Sequence, residues 1–304
     1  MDHSKLSLFP GVFLRGMLMG AADIVPGVSG GTIAFVTGIY DRLLAALSSA
    51  DMRLVQLLRR QHWREAWEHT DAAFLLTLLA GIGVSVFSLA QLINFWLETQ
   101  PLRLWAFFFG LILGSALLLM RHVRAWSLAA CGGLLGGALL AALLGVSPAL
   151  SLPPLAASFF LAGFLAICAM ILPGVSGSFV LVLLGMYPRV LMAIESLHWS
   201  RLLLLAAGAA CGLLLFARYL HYLLHRHHAA TLATLTGFLI GSLPVVWPWK
   251  LSGIGGDTLT AYPVMPGTYA ASSGSSQLFL CLGLMALGFI MVWLLENRWG
   301  GLER

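Results

Sequence analysis

The amino-acid sequence predicts an all-α polytopic membrane protein with an inverted-topology repeat, each unit a broken re-entrant helix hairpin followed by three transmembrane helices. Three observations predict it. First, 60% of the 304 residues are hydrophobic, only 10% are charged, and the mean hydropathy is +0.91; a water-soluble domain carries roughly 25% charged residues. Second, the apolar residues fall in blocks, most of them near the roughly 20 residues that cross a bilayer core. Third, one block recurs. Ile24–Ala46 (IVPGVSGGTIAFVTGIYDRLLAA) aligns without a gap to Ile171–Ala193 (ILPGVSGSFVLVLLGMYPRVLMA), with eleven of 23 positions identical. The shared residues include the Pro-Gly-Val-Ser-Gly string and then Gly38/Gly185, Tyr40/Tyr187 and Arg42/Arg189. Composition bias matches leucines readily, but not P-G-V-S-G and G-x-Y-x-R at one offset.

The apolar blocks cover 9–48, 72–97, 102–120, 126–146, 155–193, 201–224, 231–249 and 277–295. Six have the length of one helix. The blocks 9–48 and 155–193 are too long for one span and carry a Pro-Gly break. Each reads as a pair of full helices or as a re-entrant hairpin, and either returns the chain to the side it left. The chain 1–304 is then a single transmembrane domain, with repeat unit one at 9–146 and repeat unit two at 155–295. Segment 49–71 alternates apolar and charged residues, with Trp63 and Trp67 one helical turn apart. It reads as a cytoplasmic interfacial helix or as an ordinary charged loop. Segment 250–276 is rich in Gly, Ser, Thr and Pro and is predicted to be an irregular outer loop.

The net charge of +5 sits largely in short loops, where it sets orientation rather than recruiting nucleic acid. Arg53, Arg59, Arg60 and Arg64 place 49–71 in the cytoplasm. Alternation then places Lys5, Arg121, Arg124, Arg226, Arg298 and Arg304 inside as well, ten Lys/Arg against three outside (Arg103, Arg201, Lys250). Both termini are predicted to be cytoplasmic. Three helices separate the broken blocks, so the second unit enters from the opposite face. Inverted repeats of this kind build a binding site near the midplane from interrupted helices. Cys131, Cys168, Cys211 and Cys281 lie inside apolar blocks without a C-x-x-C pair and read as small core residues. The string His221, Arg226, His227, His228 reads as a basic helix end. No metal and no cofactor are expected.

Irregular backbone within a bilayer is tolerated only where protein buries it or it lines a wet cavity. In Pro26–Thr32 the proline ends one helical segment, Gly27 permits the turn, and Ser29, Gly30 and Gly31 open the next. A helix N-terminus offers free N–H donors and partial positive charge, a general anion site. Ser29 and Thr32 add hydroxyls, and Gly174, Ser176, Gly177 and Ser178 supply the same set from the other unit. Arg42 and Arg189 come sixteen residues after their prolines. They read as head-group capture points, one per leaflet, or as snorkelling helix ends. Arg15 and Asp23 occur only in the first unit, where Ala162 and Met170 stand in the second. Asp23 reads either as a proton or cation site during transport or as the structural partner of an arginine. Arg218 and His221 read as interfacial anchors. The Gly/Ala-rich stretches around Gly132–Ala138 and Ala206–Ala210 read as close helix packing.

These residues carry a resemblance. Gly16–Tyr40 (GMLMGAADIVPGVSGGTIAFVTGIY) and its degenerate second copy Pro173–Arg189 resemble the membrane family known as domain of unknown function 368, which includes polyprenyl-phosphate transporters of the PopT type; the likeness covers essentially the whole chain. The resemblance implies a flippase in the bacterial inner membrane that returns undecaprenyl phosphate from the outer to the cytoplasmic leaflet for reuse in peptidoglycan and other envelope polymers. By motif match it implies importance for Ser29, Gly30, Gly31, Ser176 and Gly177. Membrane lipids are the surrounding partners. The substrate fits the physics, because a polyprenyl tail can stay in lipid while the phosphate crosses a polar slot. Moving each negative charge inward against a negative-inside potential costs about 2.3 kcal/mol per 100 mV, so proton or cation co-movement would help.

Two alternatives stand beside this. Undecaprenyl-pyrophosphate phosphatases also carry broken helices, with a P-G-x-S-R-S motif; here the string is P-G-V-S-G-G, and its arginine is missing from both copies. A small-anion transporter or channel would have a similar site. A lipid substrate needs a side opening to the bilayer and a soluble one a closed vestibule.

Overall fold

A computed structural model describes residues 8–25, 29–123, 125–146, 152–153, 155–251 and 262–299. The first unit runs α1 (Leu8–Ile24), α2 (Gly30–Val36), α3 (Tyr40–Ser48), α4 (Met52–Arg59), α5 (Trp63–His69), α6 (Ala72–Thr99), α7 (Pro101–His122) and α8 (Leu128–Val146). The second runs α9 (Ala156–Ile171), α10 (Gly177–Leu183), α11 (Tyr187–Glu195), α12 (Trp199–Arg226), α13 (His228–Ser242), a two-stranded hairpin β1 (Lys250–Leu251) and β2 (Tyr262–Pro263), α14 (Pro266–Ser273) and α15 (Leu278–Trp299). Among the described residues five helices are long and apolar enough to cross a bilayer: α6, α7, α8, α12 and α15. The chain is a multi-pass, all-α membrane protein.

Both broken blocks resolve into one longer helix, a break and two short helices. The short ones have seven and nine residues in each unit, about 10 and 14 Å of helix, too short to cross a roughly 30 Å core. The second pair meets at a bend of 105°. The turn between the short helices is the same in both units. Gly38 N–H donates to Phe35 O and Ile39 N–H to Ala34 O, both at 3.0 Å, while Gly185 N–H donates to Val182 O at 2.9 Å and Met186 N–H to Leu181 O at 2.8 Å. Gly38 and Gly185 sit at φ 70° and 62°, in the left-handed region that L-residues with a Cβ avoid. That is the physical reason both copies carry G-x-Y.

Helix α1 packs on α6 and α9 on α12, so each unit's long helix covers its own broken block. The remaining helices cross between units: α7 packs with α15 and α13 with α8. Helices α7 and α13 also touch and form the centre. Two-thirds of the apolar window of α7 is buried, against about a fifth for the other four spans. The largest core cluster joins both units, from Ile33 and Tyr40 through Ile112 to Leu232 and Leu239. Outward-facing Phe87, Leu128 and Phe279 are about nine-tenths exposed, as expected where lipid rather than water is the solvent.

Two expectations are corrected here. The block read as apolar helix over 231–249 is helical only to Ser242, because Pro244 and Pro248 cannot continue it. Trp247 and Trp249 instead donate their indole N–H to Val264 O and Ser276 O, both at 2.9 Å, and the Trp249 side chain is buried against Leu102, Ala106 and Cys281. The segment read as irregular loop carries strand pairing, Lys250 with Pro263 and Leu251 with Tyr262, and helix α14. Segment 49–71 folds as α4 and α5. They are tied by Asp51, whose carboxylate accepts the Leu54 N–H at 3.0 Å and contacts His69 Nε2 at 3.1 Å.

Candidate functional site

The site begins with two helix ends that membrane burial cannot leave unpaired. Helix α2 opens at Gly30 with amides that have no intrahelical acceptor. Ser29, in extended conformation, caps it: its Oγ accepts the Gly31 N–H at 3.1 Å. Asp23, in the last turn of α1, reaches across the break and its Oδ1 accepts the Gly30 N–H at 2.7 Å. Side-chain length explains why the pair fits: an aspartate and a serine place oxygen within reach of the first two amides, as at ordinary N-caps. Pro26, Gly27 and Val28, which include the predicted phosphate ligand Gly27, lie outside the described residues.

Helix α9 ends nearby at Ile171, and its last carbonyls need donors. The Ser29 hydroxyl, already an acceptor, donates to Met170 O at 3.0 Å, using both halves of its hydrogen-bonding capacity. The buried Tyr40 hydroxyl donates to Ile171 O at 3.0 Å. In the break that follows, Gly174 N–H donates to Thr32 Oγ1 at 3.0 Å. Ser29 and Thr32 are fully buried. The approach is close: a Cβ on Gly31 would lie 2.8 Å from Ile171 O, and one on Gly174 would lie 3.0 Å from Leu239 Cα. Gly174 also has φ +83°. The two breaks are thus one interlocked site. Each of these three cross-break bonds joins a side chain of unit one to a backbone group of unit two.

The other predicted residues are placed less centrally. Ser176 caps no amide of α10; its Oγ is 2.8 Å from Ser178 Oγ. Gly177 packs α10 onto α9, with room for no Cβ before Ala166 O at 2.7 Å. Arg15 is buried in α1 at 5% exposure. Arg42 makes a bidentate pair with Asp71, Nε to Oδ2 at 2.6 Å and Nη2 to Oδ1 at 3.1 Å, and stacks over Phe74 at 4.3 Å. Arg189 Nη1 donates to Leu152 O at 2.7 Å and touches Met186 Sδ at 3.6 Å. Among the described residues, neither guanidinium hydrogen-bonds to a break. Arg218 is more than an interfacial anchor: it donates to Ser48 O at 3.2 Å and to Ala50 O, so α12 of the second unit clamps the end of α3. Tyr40 is the residue whose role sequence reasoning missed, although its recurrence in the repeat marked it.

The expectation of bare amides aimed at a ligand is also corrected. The amides of Gly30, Gly31 and Gly174 and the hydroxyls of Ser29 and Thr32 are engaged within the protein, because unpaired groups at this depth cost several kcal/mol each (about 2–7). Beside the second break lies a cavity of about 20 Å³ lined by Gly174, Ser176, Phe179 and Ser242, room for about one water. Head-group binding here therefore requires exchange: an anion must take over bonds that the breaks make to one another.

Residues 19–255 match the family profile described as undecaprenyl phosphate translocase-like. Over 238 residues the chain is 44% identical to a protein of Vibrio cholerae serotype O1 named polyprenyl-phosphate transporter, covering 78% of this chain and 77% of that one. Over 254 residues it is 31% identical to a protein of Staphylococcus aureus of the same name, covering 77% of this chain and 85% of that one. No solved structure matches the chain.

Proposed function

Because this chain belongs to the undecaprenyl phosphate translocase-like family, we propose that it transports polyprenyl phosphate, returning undecaprenyl phosphate from the outer to the cytoplasmic leaflet of the bacterial inner membrane. The observation that carries the mechanism is the interlock of Ser29, Thr32 and Tyr40 with Met170, Gly174 and Ile171. In this reading the two units are inverted, both termini are cytoplasmic, and the breaks meet near the midplane. The relatives are named as transporters rather than enzymes.

The polyprenyl tail stays in lipid while the phosphate crosses between the breaks. Hydroxyls of Ser29, Thr32, Ser176 and Ser178, with amides of Gly30, Gly31 and Gly174, exchange their internal partners for phosphate oxygens, and the amides of Gly27 and Gly177 join them. Hydrogen bonds to an ionised acceptor are roughly twice as strong as neutral ones, which offsets the loss. Asp23 holds the place at the Gly30 amide that an anion would take. It leaves on head-group arrival, and a co-moving proton or cation neutralises it. Arg42 and Arg189 draw the head group to the two hairpin ends; Arg42 does so by releasing Asp71.

The test is reconstitution in liposomes with a labelled polyprenyl phosphate, following its transfer between leaflets under imposed pH and voltage gradients. Ser29→Ala with Thr32→Val is expected to slow transfer at least about tenfold, equivalent to roughly 1.4 kcal/mol of barrier. An unchanged rate would remove the breaks from the path. Equal rates with and without either gradient would remove the coupling.

A further inference from the structure

The two seams formed where the units exchange helices are closed to different extents. In the α8–α13 seam four glycines bring the backbones together along nearly the whole of α13. A Cβ on Gly133 would lie 2.9 Å from Ala230 O, and Cβ atoms on Gly137, Gly237 and Gly241 would overlap the carbonyls of Thr234, Leu134 and Ala138. In the α7–α15 seam the close approach is confined to one crossing. There Gly110 meets the Met285 carbonyl, Gly288 meets the Phe107 carbonyl, and a Cβ on Gly114 would lie 3.3 Å from Phe289 Cα. Beyond Gly114 the seam opens into a furrow of about 520 Å³, within the size range of ligand pockets, roughly 300–1,000 Å³.

The furrow is two helical turns long, about 10 Å from Gly114 to Arg121. Leu117, Leu118, Phe289, Ile290 and Trp293 line it, and Arg121 stands at its end. Leu117, Ile290 and Trp293 are 42%, 49% and 50% exposed, so it opens sideways to the bilayer. Arg121 makes no ion pair or hydrogen bond among the described residues. One furrow between two helices holds one chain, and a single guanidinium fork suits one terminal phosphate. Helices α7 and α15 both touch α2, the short helix capped by Asp23 and Ser29, so the two helices that form the furrow also pack on the first helix of the interlocked site.

We propose that the α7–α15 furrow is a lateral binding site for a one-tailed phosphate lipid, the isoprenoid chain lying against Leu117 and Phe289 and the phosphate on Arg121. This rests on the transport reading above, in which Arg121 is cytoplasmic, and adds to it the door by which the lipid leaves the breaks for the cytoplasmic leaflet. It also separates a lipid substrate from a soluble anion, which would need no such side opening.

The test places a photoreactive benzoylphenylalanine at Leu117, and as a control at Leu139, exposed on α8, in protein reconstituted into phosphatidylcholine liposomes with radiolabelled polyprenyl phosphate. A labelled adduct is expected at 117 and not at 139. Unlabelled polyprenyl phosphate should compete with it and added phosphatidylglycerol should not. Arg121→Gln should lower the adduct yield about tenfold, the loss of one charged contact. Equal adducts at both positions, or equal competition by phosphatidylglycerol, would mean that ordinary bilayer lipid fills the furrow, and would overturn the site. Transfer assays on the same samples keep the two readings apart. Transfer without an adduct at 117 overturns the furrow alone; an adduct without transfer by the unsubstituted protein upholds the furrow and removes the transport reading.

Discussion

At the first break Asp23 and Ser29 satisfy the leading amides of α2; at the second, Met170 and Ser176 stand in the same places and neither side chain caps α10. Thr32 offers a hydroxyl to Gly174, where the second unit has Phe179. Tyr40 is buried and bonded to Ile171 O, whereas Tyr187 is 39% exposed. The repeated string therefore specifies a backbone path, through its proline and its turn glycines, while the residues beside it give the two breaks opposite jobs. The first break supplies side-chain hydrogen-bonding groups. The second presents the backbone that receives them. An anion that replaces the interlock meets polar side chains first on the unit-one side.

The largest effect is expected where both space and conformation forbid change. Gly174→Ala forces a side chain into the left-handed region, a cost of about 1–3 kcal/mol, and against Leu239 Cα and Ser242 Oγ, at 3.0 and 3.1 Å. Transfer should fall more than about tenfold, while Gly83→Ala, with open space around it, should behave as the parent. Matched behaviour of the two variants in the liposome assay would mean that the interlock is not needed.

Next comes the asymmetry of capping. Asp23→Ala strands the Gly30 amide at a cost of roughly 1–3 kcal/mol, whereas Asp23→Asn keeps an acceptor and should retain most of the stability. Met170→Ala at the corresponding position removes no cap. Thermal unfolding in detergent should rank Asp23→Ala well below the other two, and identical curves would erase the difference between the breaks. A smaller effect is expected from the paired tyrosines: Tyr40→Phe should cost about 1 kcal/mol, one net hydrogen bond, and Tyr187→Phe less than about 0.5 kcal/mol.

The smallest effect lies away from both breaks and serves as their reference. Lys250 donates to Val245 O at 2.5 Å and sits 3.9 Å from the Trp105 ring; burial pushes its ammonium down from 10.5 to about 8. The folded state then binds fewer protons than the unfolded one between those values, so stability should rise as pH increases from about 8 to 10.5. Lys250→Met should flatten that slope and leave transfer at neutral pH unchanged.

Much of the fold was legible because its signals are local. Bilayer thickness sets the length of apolar blocks, and the spans at α6, α7, α8, α12 and α15 follow from it. A left-handed turn demands glycine, which explains the recurrence of Gly38 and Gly185, but only the structure shows a second bend at each of them. The end of α13 was misread, since Pro244 was weighed less than the hydropathy around it. Of the candidate site, the paired breaks were legible and the partners of their side chains were not. Ser29, Thr32 and Gly174 read from the sequence as anion ligands, and the structure has them bonded across the breaks. Arg42 reads from the sequence as a head-group residue or a snorkelling helix end, and its observed partner, Asp71, lies 29 residues away.

By itself, the sequence determined the membrane class, the repeat and the positions at which helices must break, because hydropathy and backbone strain act within a few residues. Only the tertiary structure decided which break caps which, and where the seam between units opens. The deciding bonds join residues 131, 141 and 142 positions apart, and packing alone brings such groups within 3 Å of one another.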